Sequence, residues 1–210
     1  MIILVGLGAG LALLYGAAYC WRSESWIRSL IKTGSIALPA VALSFYALPG
    51  MALAGLWACV LGDFLLSRPG QVALRAGIVA FATGHVFYIV SFLTLWPLSS
   101  PDLLFWMVAL GLGALGLSTE RWLTPHTGAL RGAVRVYVVL ILAMGISAAV
   151  PGGPRLWVLA GALCFVLSDL ILSTQLFLAQ RGRAGAYAVW GLYCMAQALI
   201  IFGIWEFAGA

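Results

Sequence analysis

Two carboxyl groups stand where carboxyl groups are costly. Residues 60–67 read VLGDFLLS and residues 166–173 read VLSDLILS, so Asp63 and Asp169 occupy the same apolar octet 106 residues apart. A charged side chain near the centre of a bilayer costs about 2.5–3.5 kcal/mol on insertion scales, which makes a buried acid a sign of function. A pair of such acids suits general acid–base chemistry, one carboxyl protonated and the other ionised. It also suits proton-coupled transport. Each aspartate has a serine four residues on, Ser67 or Ser173, on the same helical face. Glu24, Asp102, Glu120 and Glu206 fall instead at run ends or in loops.

Other polar side chains share the apolar runs. His85 sits in ATGHVFYIV with Tyr88 three residues on, and Trp190, Tyr193 and Gln197 make a semi-polar stripe at i, i+3 and i+7. Such residues are either ordinary helix packing with satisfied polar groups or the wall of a cavity, in which His85, Tyr88, Tyr193 and Gln197 would hydrogen-bond what enters. Lys32 and Arg28 fall where the second run meets the cytoplasm, and Arg75 opens the fourth. Such cations either snorkel to the interface or grip a lipid phosphate. No histidine pair has ligand spacing, so the sequence predicts no metal site and no cofactor. Cys20, Cys59, Cys164 and Cys194 form no CxxC pattern and read as small buried thiols. The opening GLGAG, residues 6–10, has no strand before it and reads as a close helix contact, not a nucleotide loop.

The elements that must position these residues are membrane helices. The 210 residues are 64% hydrophobic and 8% charged, with mean hydropathy +1.09. Soluble domains carry about 25% charged residues. Eight apolar runs cover roughly 2–20, 30–48, 50–67, 74–96, 102–118, 133–150, 156–178 and 186–207. Loops are short and marked by Pro49-Gly50, Pro69-Gly70, Pro97 to Pro101, Pro125 and PGGP at 151–154. The first run lacks a basic lead and a cleavage site, so it is read as a retained span. The expectation is one integral membrane domain over 1–210, an all-α bundle of eight transmembrane helices.

Charge sets the orientation. Net charge is +5, and ten of the eleven basic residues fall at loops after the first, third, fifth and seventh runs, with Arg155 alone opposite. The positive-inside rule then puts both termini away from the cytoplasm. Topology and anionic lipid account for the basic charge, so nucleic acid is not an expected partner. Short loops without an organelle signal point to a bacterial inner membrane. Oligomeric state stays open.

The repeated octet suggests an internal duplication. At the same offset Phe81-Ala82 aligns with Tyr187-Ala188, and Phe87 with Tyr193. Four helices fused to four, about 1–100 and 101–210, would form a parallel repeat, with the third and seventh helices facing each other across a pseudo-two-fold axis.

KTGSIALPA (32–40), LGDFLLS, FATGHVFYIVSF (81–92), LSDLILS and WGLYCMAQALI (190–200), taken in order, resemble the YhhN-like lysoplasmalogenase family. The second-helix match is loose, since Pro39 falls seven residues after Lys32. The resemblance implies an eight-helix membrane hydrolase acting on a lysophospholipid, with membrane lipids around it. It would cleave the vinyl-ether bond of lysoplasmalogen to a fatty aldehyde and glycerophosphoethanolamine or glycerophosphocholine. The family's two aspartates map onto Asp63 and Asp169. Lys32, His85, Tyr88, Trp190, Tyr193 and Gln197 then become candidate substrate contacts.

The chemistry fits two carboxyls. Proton transfer to the alkene carbon gives an oxocarbenium ion, water adds, and the hemiacetal collapses. A carboxyl group in a low-dielectric cavity beside a second carboxylate can stay protonated near neutral pH, while its ionised partner stabilises the cation. The sequence alone does not assign the acid; Asp169, farther from its helix end, is preferred. A proton-coupled small-molecule or lipid transporter is the alternative from another class.

Overall fold

The structure is a computed structural model that describes residues 1–46, 48–95, 99–178 and 182–208. Pro97 and Arg181, assigned above to loops, lie outside the described residues, as do Ala47 and Trp96 at expected helix ends. The described residues form eight α-helices and no strand. They are α1 Ile2–Ala18, α2 Trp26–Ser44, α3 Gly50–Leu66, α4 Gln71–Thr94, α5 Leu103–Trp122, α6 Arg131–Ala148, α7 Arg155–Phe177 and α8 Arg183–Ala208. Five of them, α4 to α8, are long and apolar enough to cross a membrane, α6 being counted with the turn before it. α1 and α3 are apolar but have 17 residues each. That is about 26 Å of helix against a hydrocarbon core of about 30 Å. The architecture is that of an all-α, multi-pass membrane protein.

Local chemistry explains the helix ends. α2 starts four residues before the apolar run because the Ser25 hydroxyl accepts the Arg28 N–H at 3.2 Å. α5 runs on through the polar Ser118-Thr119-Glu120-Arg121 stretch. There Arg135 of α6 donates to both Glu120 oxygens at 2.6 to 3.1 Å, and the Ser118 and Thr119 hydroxyls donate back to Leu115 and Gly116. At the other end Asp102 caps α5 by accepting the Phe105 N–H at 2.9 Å. Arg155 grips the same carboxylate at 2.6 and 2.7 Å. That guanidinium holds the Asp102 carboxyl below the usual carboxylate range. Between α6 and α7, Gly152 and Gly153 both take positive φ, 132° and 47°, which residues with a Cβ rarely adopt.

Seven helices close a ring in the order α1, α2, α3, α4, α6, α7, α8, with α8 meeting α1 and also touching α3. α5 stands outside, packed mainly on α6, and buries only Leu112 and Thr119. The α3–α4 and α7–α8 hairpins are the most intimate pairs. A Cβ at Gly161 would lie 2.9 Å from the Ala196 carbonyl oxygen, so α7 and α8 meet backbone to backbone. In the GLGAG run only Gly8 makes a close contact: a Cβ there would lie 2.5 Å from Pro39 of α2, whereas Gly6 and Gly10 face open space.

The two octets are used differently. At their second difference, Phe64 packs toward Trp26, with centroids 6.2 Å apart, while Leu170 lines an apolar pocket. Phe81 is 6% exposed, whereas Tyr187 at the matching offset is 47% exposed. The serines do behave alike. Ser67 and Ser173 donate to carbonyls three residues back, at 2.7 and 2.8 Å, and not to the aspartates.

Candidate active site

Asp63 and Asp169 line one cavity of about 440 Å³ enclosed by the ring. Each is held by a tyrosine. Tyr193 of α8 donates to Asp63 Oδ2 at 2.6 Å, and Tyr137 of α6 donates to Asp169 Oδ2. The cation differs. Lys32 Nζ lies 2.8 Å from Asp63 Oδ1, while the nearest basic nitrogen to Asp169 is His85 Nε2 at 3.9 Å. Lys32 thus turns inward to a carboxylate instead of snorkelling outward.

Asp169 lies farther from its helix end, yet Asp63 is the more enclosed, with its side chain 1% exposed against 14%. Position along a helix and enclosure are separate quantities: Lys32 and Tyr193 close over Asp63, while Asp169 opens on the cavity. Ser168, beside Asp169, donates to the Val189 carbonyl at 3.0 Å and ties this turn of α7 to α8.

Behind each tyrosine stands a second polar group. Tyr88 donates to Gln197 Oε1 at 2.7 Å, and Gln197 Nε2 lies 3.4 Å from the Tyr193 hydroxyl. His85 Nε2 lies 3.1 Å from the Tyr137 hydroxyl. Since Tyr137 donates to Asp169, Nε2 carries the hydrogen that the Tyr137 oxygen accepts. Its Nδ1 is buried without a hydrogen-bond partner among the described residues. Phe165 meets His85 edge-on at 4.8 Å, and Phe81 and Tyr193 pack edge-on against it and each other in one aromatic cluster.

Of the expected cavity residues, Lys32, Trp190 and Tyr193 line the wall. Trp190 donates its indole N–H to the Ala12 carbonyl at 2.9 Å, which fixes α8 against α1. His85, Tyr88 and Gln197 are buried one layer behind the wall; their hydrogen bonds run to its tyrosines or to each other, and His85 also lies 3.9 Å from Asp169. Sequence reasoning missed Tyr137, whose only signal is a phenol in the middle of the apolar run VRVYVVLI. At the mouth Arg22, Arg28 and Arg183 converge with Trp21; of these the sequence offers only Arg28 as a cation for the interface or a lipid phosphate, and Arg22 and Arg183 read as topology alone. Arg75 lies away from this cavity, in shallow depressions along α4. Among the described residues no three His, Cys, Asp or Glu side chains gather to hold a metal ion.

A second space adjoins the first. An apolar pocket of about 90 Å³ lies among α4, α5, α6 and α7, and Asp169, Tyr137 and Phe81 line both spaces. Leu115 and Thr119 of α5, with Leu123 just after it, close its outer side. Asp169 therefore stands where a polar chamber with a basic mouth meets a greasy slot.

Proteins from Mycobacterium bovis (strain ATCC BAA-935 / AF2122/97) and Mycobacterium tuberculosis (strain CDC 1551 / Oshkosh), each named "Lysoplasmalogenase", are 32% identical to the chain over 147 residues. The match takes in 68% of this chain and 55% of each relative, so the chain spans about half the length of the curated relatives it matches. No solved structure matches it significantly. The YhhN family model matches residues 27–204, a stretch that holds Lys32, Asp63, His85, Tyr137, Asp169 and Tyr193, and the chain belongs to the YhhN family.

Proposed function

We propose that the chain hydrolyses the vinyl-ether bond of a lysoplasmalogen, releasing a fatty aldehyde and a glycerophospho-headgroup. The observation that carries this reading is the position of Asp169 between the polar chamber and the apolar slot. An alkenyl ether has its reactive carbons at that boundary: the chain is apolar and the glycerol side is polar. Relatives named for the same activity support it.

The residues divide the work by their partners. Lys32 and Tyr193 stabilise Asp63 as a carboxylate, which suits it to face the oxocarbenium ion. Asp169 has no ammonium beside it and opens on the cavity, which suits it to deliver the proton. In the reaction, Asp169 gives its proton to the alkene carbon and the cation forms at the carbon bonded to oxygen. Water adds there and returns a proton to the Asp169 carboxylate. The hemiacetal then breaks its carbon–oxygen bond, with the hydroxyl proton passing to the departing glycerol oxygen. Tyr137 orients Asp169 through this cycle, and His85 orients Tyr137.

The fused four-helix halves find support in the same partners. Asp63 of α3 is held from α2 and α8, and Asp169 of α7 from α6 and, at longer range, α4. These are corresponding helices in the two halves, though the side chains differ. The basic mouth belongs at the cytoplasmic face of a bacterial inner membrane with both termini outside, by the charge rule.

Purified protein in detergent, given an alkenyl lysolipid and no ion gradient, is expected to release aldehyde with catalytic turnover. Silence across headgroups and pH, with folded protein, would overturn the hydrolase reading and favour a proton-coupled transporter.

A further inference from the structure

Three arginines converge on the mouth of the cavity from separate places. Arg22 follows α1, Arg28 lies in the first turn of α2, and Arg183 opens α8. None has a carboxylate within ion-pairing distance among the described residues; the ion pairs found there belong to Lys32, His85, Arg135 and Arg155. Each leans on an aromatic ring instead: Arg22 lies 5.1 Å from Tyr19, Arg28 5.5 Å from Tyr15 and Arg183 5.6 Å from Trp21. A ring takes the face of a guanidinium and leaves its N–H edge available.

Arg28 is the most informative of the three. It is 9% exposed, and its Nε donates to the Tyr19 carbonyl at 3.2 Å. Its terminal nitrogens donate to no group among the described residues. A nearly enclosed guanidinium with open donors, beside two further cations, lacks an anion. Lys32 does not supply the fourth cation, because Asp63 engages it at 2.8 Å.

Resting on the hydrolase reading for the lipid it serves, we propose that this mouth is a phosphate site that reads the phosphate of a single-chain ether lipid and ignores the amine beyond it. The forked donors of several arginines match the two free oxygens of a phosphodiester. An ammonium group in the same place meets the three guanidiniums, and the rings beside them, Tyr19, Tyr15 and Trp21, already face those cations. The sole carboxylates lining the cavity among the described residues are Asp63 and Asp169, both committed to other partners. The amine is therefore left to water.

The test separates binding from turnover. Equilibrium binding to the purified full chain in neutral detergent compares an alkylglycerophosphate with the matching alkylglycerol, saturated ethers that this chemistry leaves uncut. The phosphate form is expected to bind about a hundredfold tighter. Arg28→Gln and Arg183→Gln should each shrink that ratio by about tenfold. Inorganic phosphate should compete with the alkylglycerophosphate and not with the alkylglycerol, which tells the bare anion from the lipid. Equal affinities, or a ratio that survives the substitutions, would overturn the site. Arg183 is exposed, so its variant decides the matter if Arg28→Gln fails to fold.

The second arm measures aldehyde release from alkenyl lysolipids carrying ethanolamine, choline or no amine. Their kcat/KM values should agree within about threefold, because nothing is placed to tell them apart. A strong preference for one amine would overturn the headgroup part. No aldehyde from any of them would overturn the hydrolase reading and leave the binding result standing.

Discussion

Asp169→Asn is expected to lower turnover about a thousandfold while the protein stays folded. That loss corresponds to about 4 kcal/mol of barrier. The amide keeps the size of the carboxyl, and its oxygen still accepts from Tyr137, so the local packing has no reason to change. What disappears is the transferable proton. The readout is aldehyde release under single-turnover conditions, beside thermal melting in the same detergent. Run in heavy water, the wild-type reaction adds a second check: the aldehyde should carry one deuterium on the carbon next to its carbonyl, because the enzyme protonates that carbon. A variant that keeps a tenth or more of the wild-type rate, or a product without deuterium, would remove Asp169 from the proton-donor role.

Lys32→Met is expected to destabilise the fold by about 3–5 kcal/mol, the usual result of stranding one member of a buried ion pair. Asp63 has a side chain 1% exposed and, among the described residues, Tyr193 as its one other side-chain partner. The methionine fills the lysine's space without its charge. Adding Asp63→Asn should recover much of the loss, because the amide needs no counter-charge. A double-mutant cycle on melting free energies gives the coupling directly. Additive losses from the two substitutions would mean that the 2.8 Å contact does little for stability.

Both acids were legible in the sequence because a carboxyl in an apolar octet is conspicuous, and so were the eight helices, because long apolar runs leave few alternatives. The misplaced ends have specific causes. α2 begins early at a serine cap that looks like loop, and α5 continues because Glu120 reaches Arg135 fifteen residues on. Such partners are invisible to hydropathy. The layer behind the site was not legible either. His85 looks like a cavity residue and proves to be the support of Tyr137. A single tyrosine amid valines on α6 looks like ordinary packing, and nothing local shows that it meets an aspartate 32 residues on. Arg22 and Arg183 read as topology, and Arg28 as a lone cation at the interface or on a lipid phosphate, until three separate elements are seen to meet.

The Lys32–Asp63 pair also bears on how the chain enters its bilayer. α2 carries Arg28 and Lys32 and is not among the helices apolar and long enough to cross by themselves, while α3 is short and carries Asp63. Entering singly, each would take an uncompensated charge into hydrocarbon at a cost of about 2.5–3.5 kcal/mol. Entering as a hairpin, the two carry a pair neutral as a whole. Biogenesis of the reactive centre and insertion of its first half are then one event, because the contact that holds the carboxylate in place is also what makes these two segments acceptable to lipid.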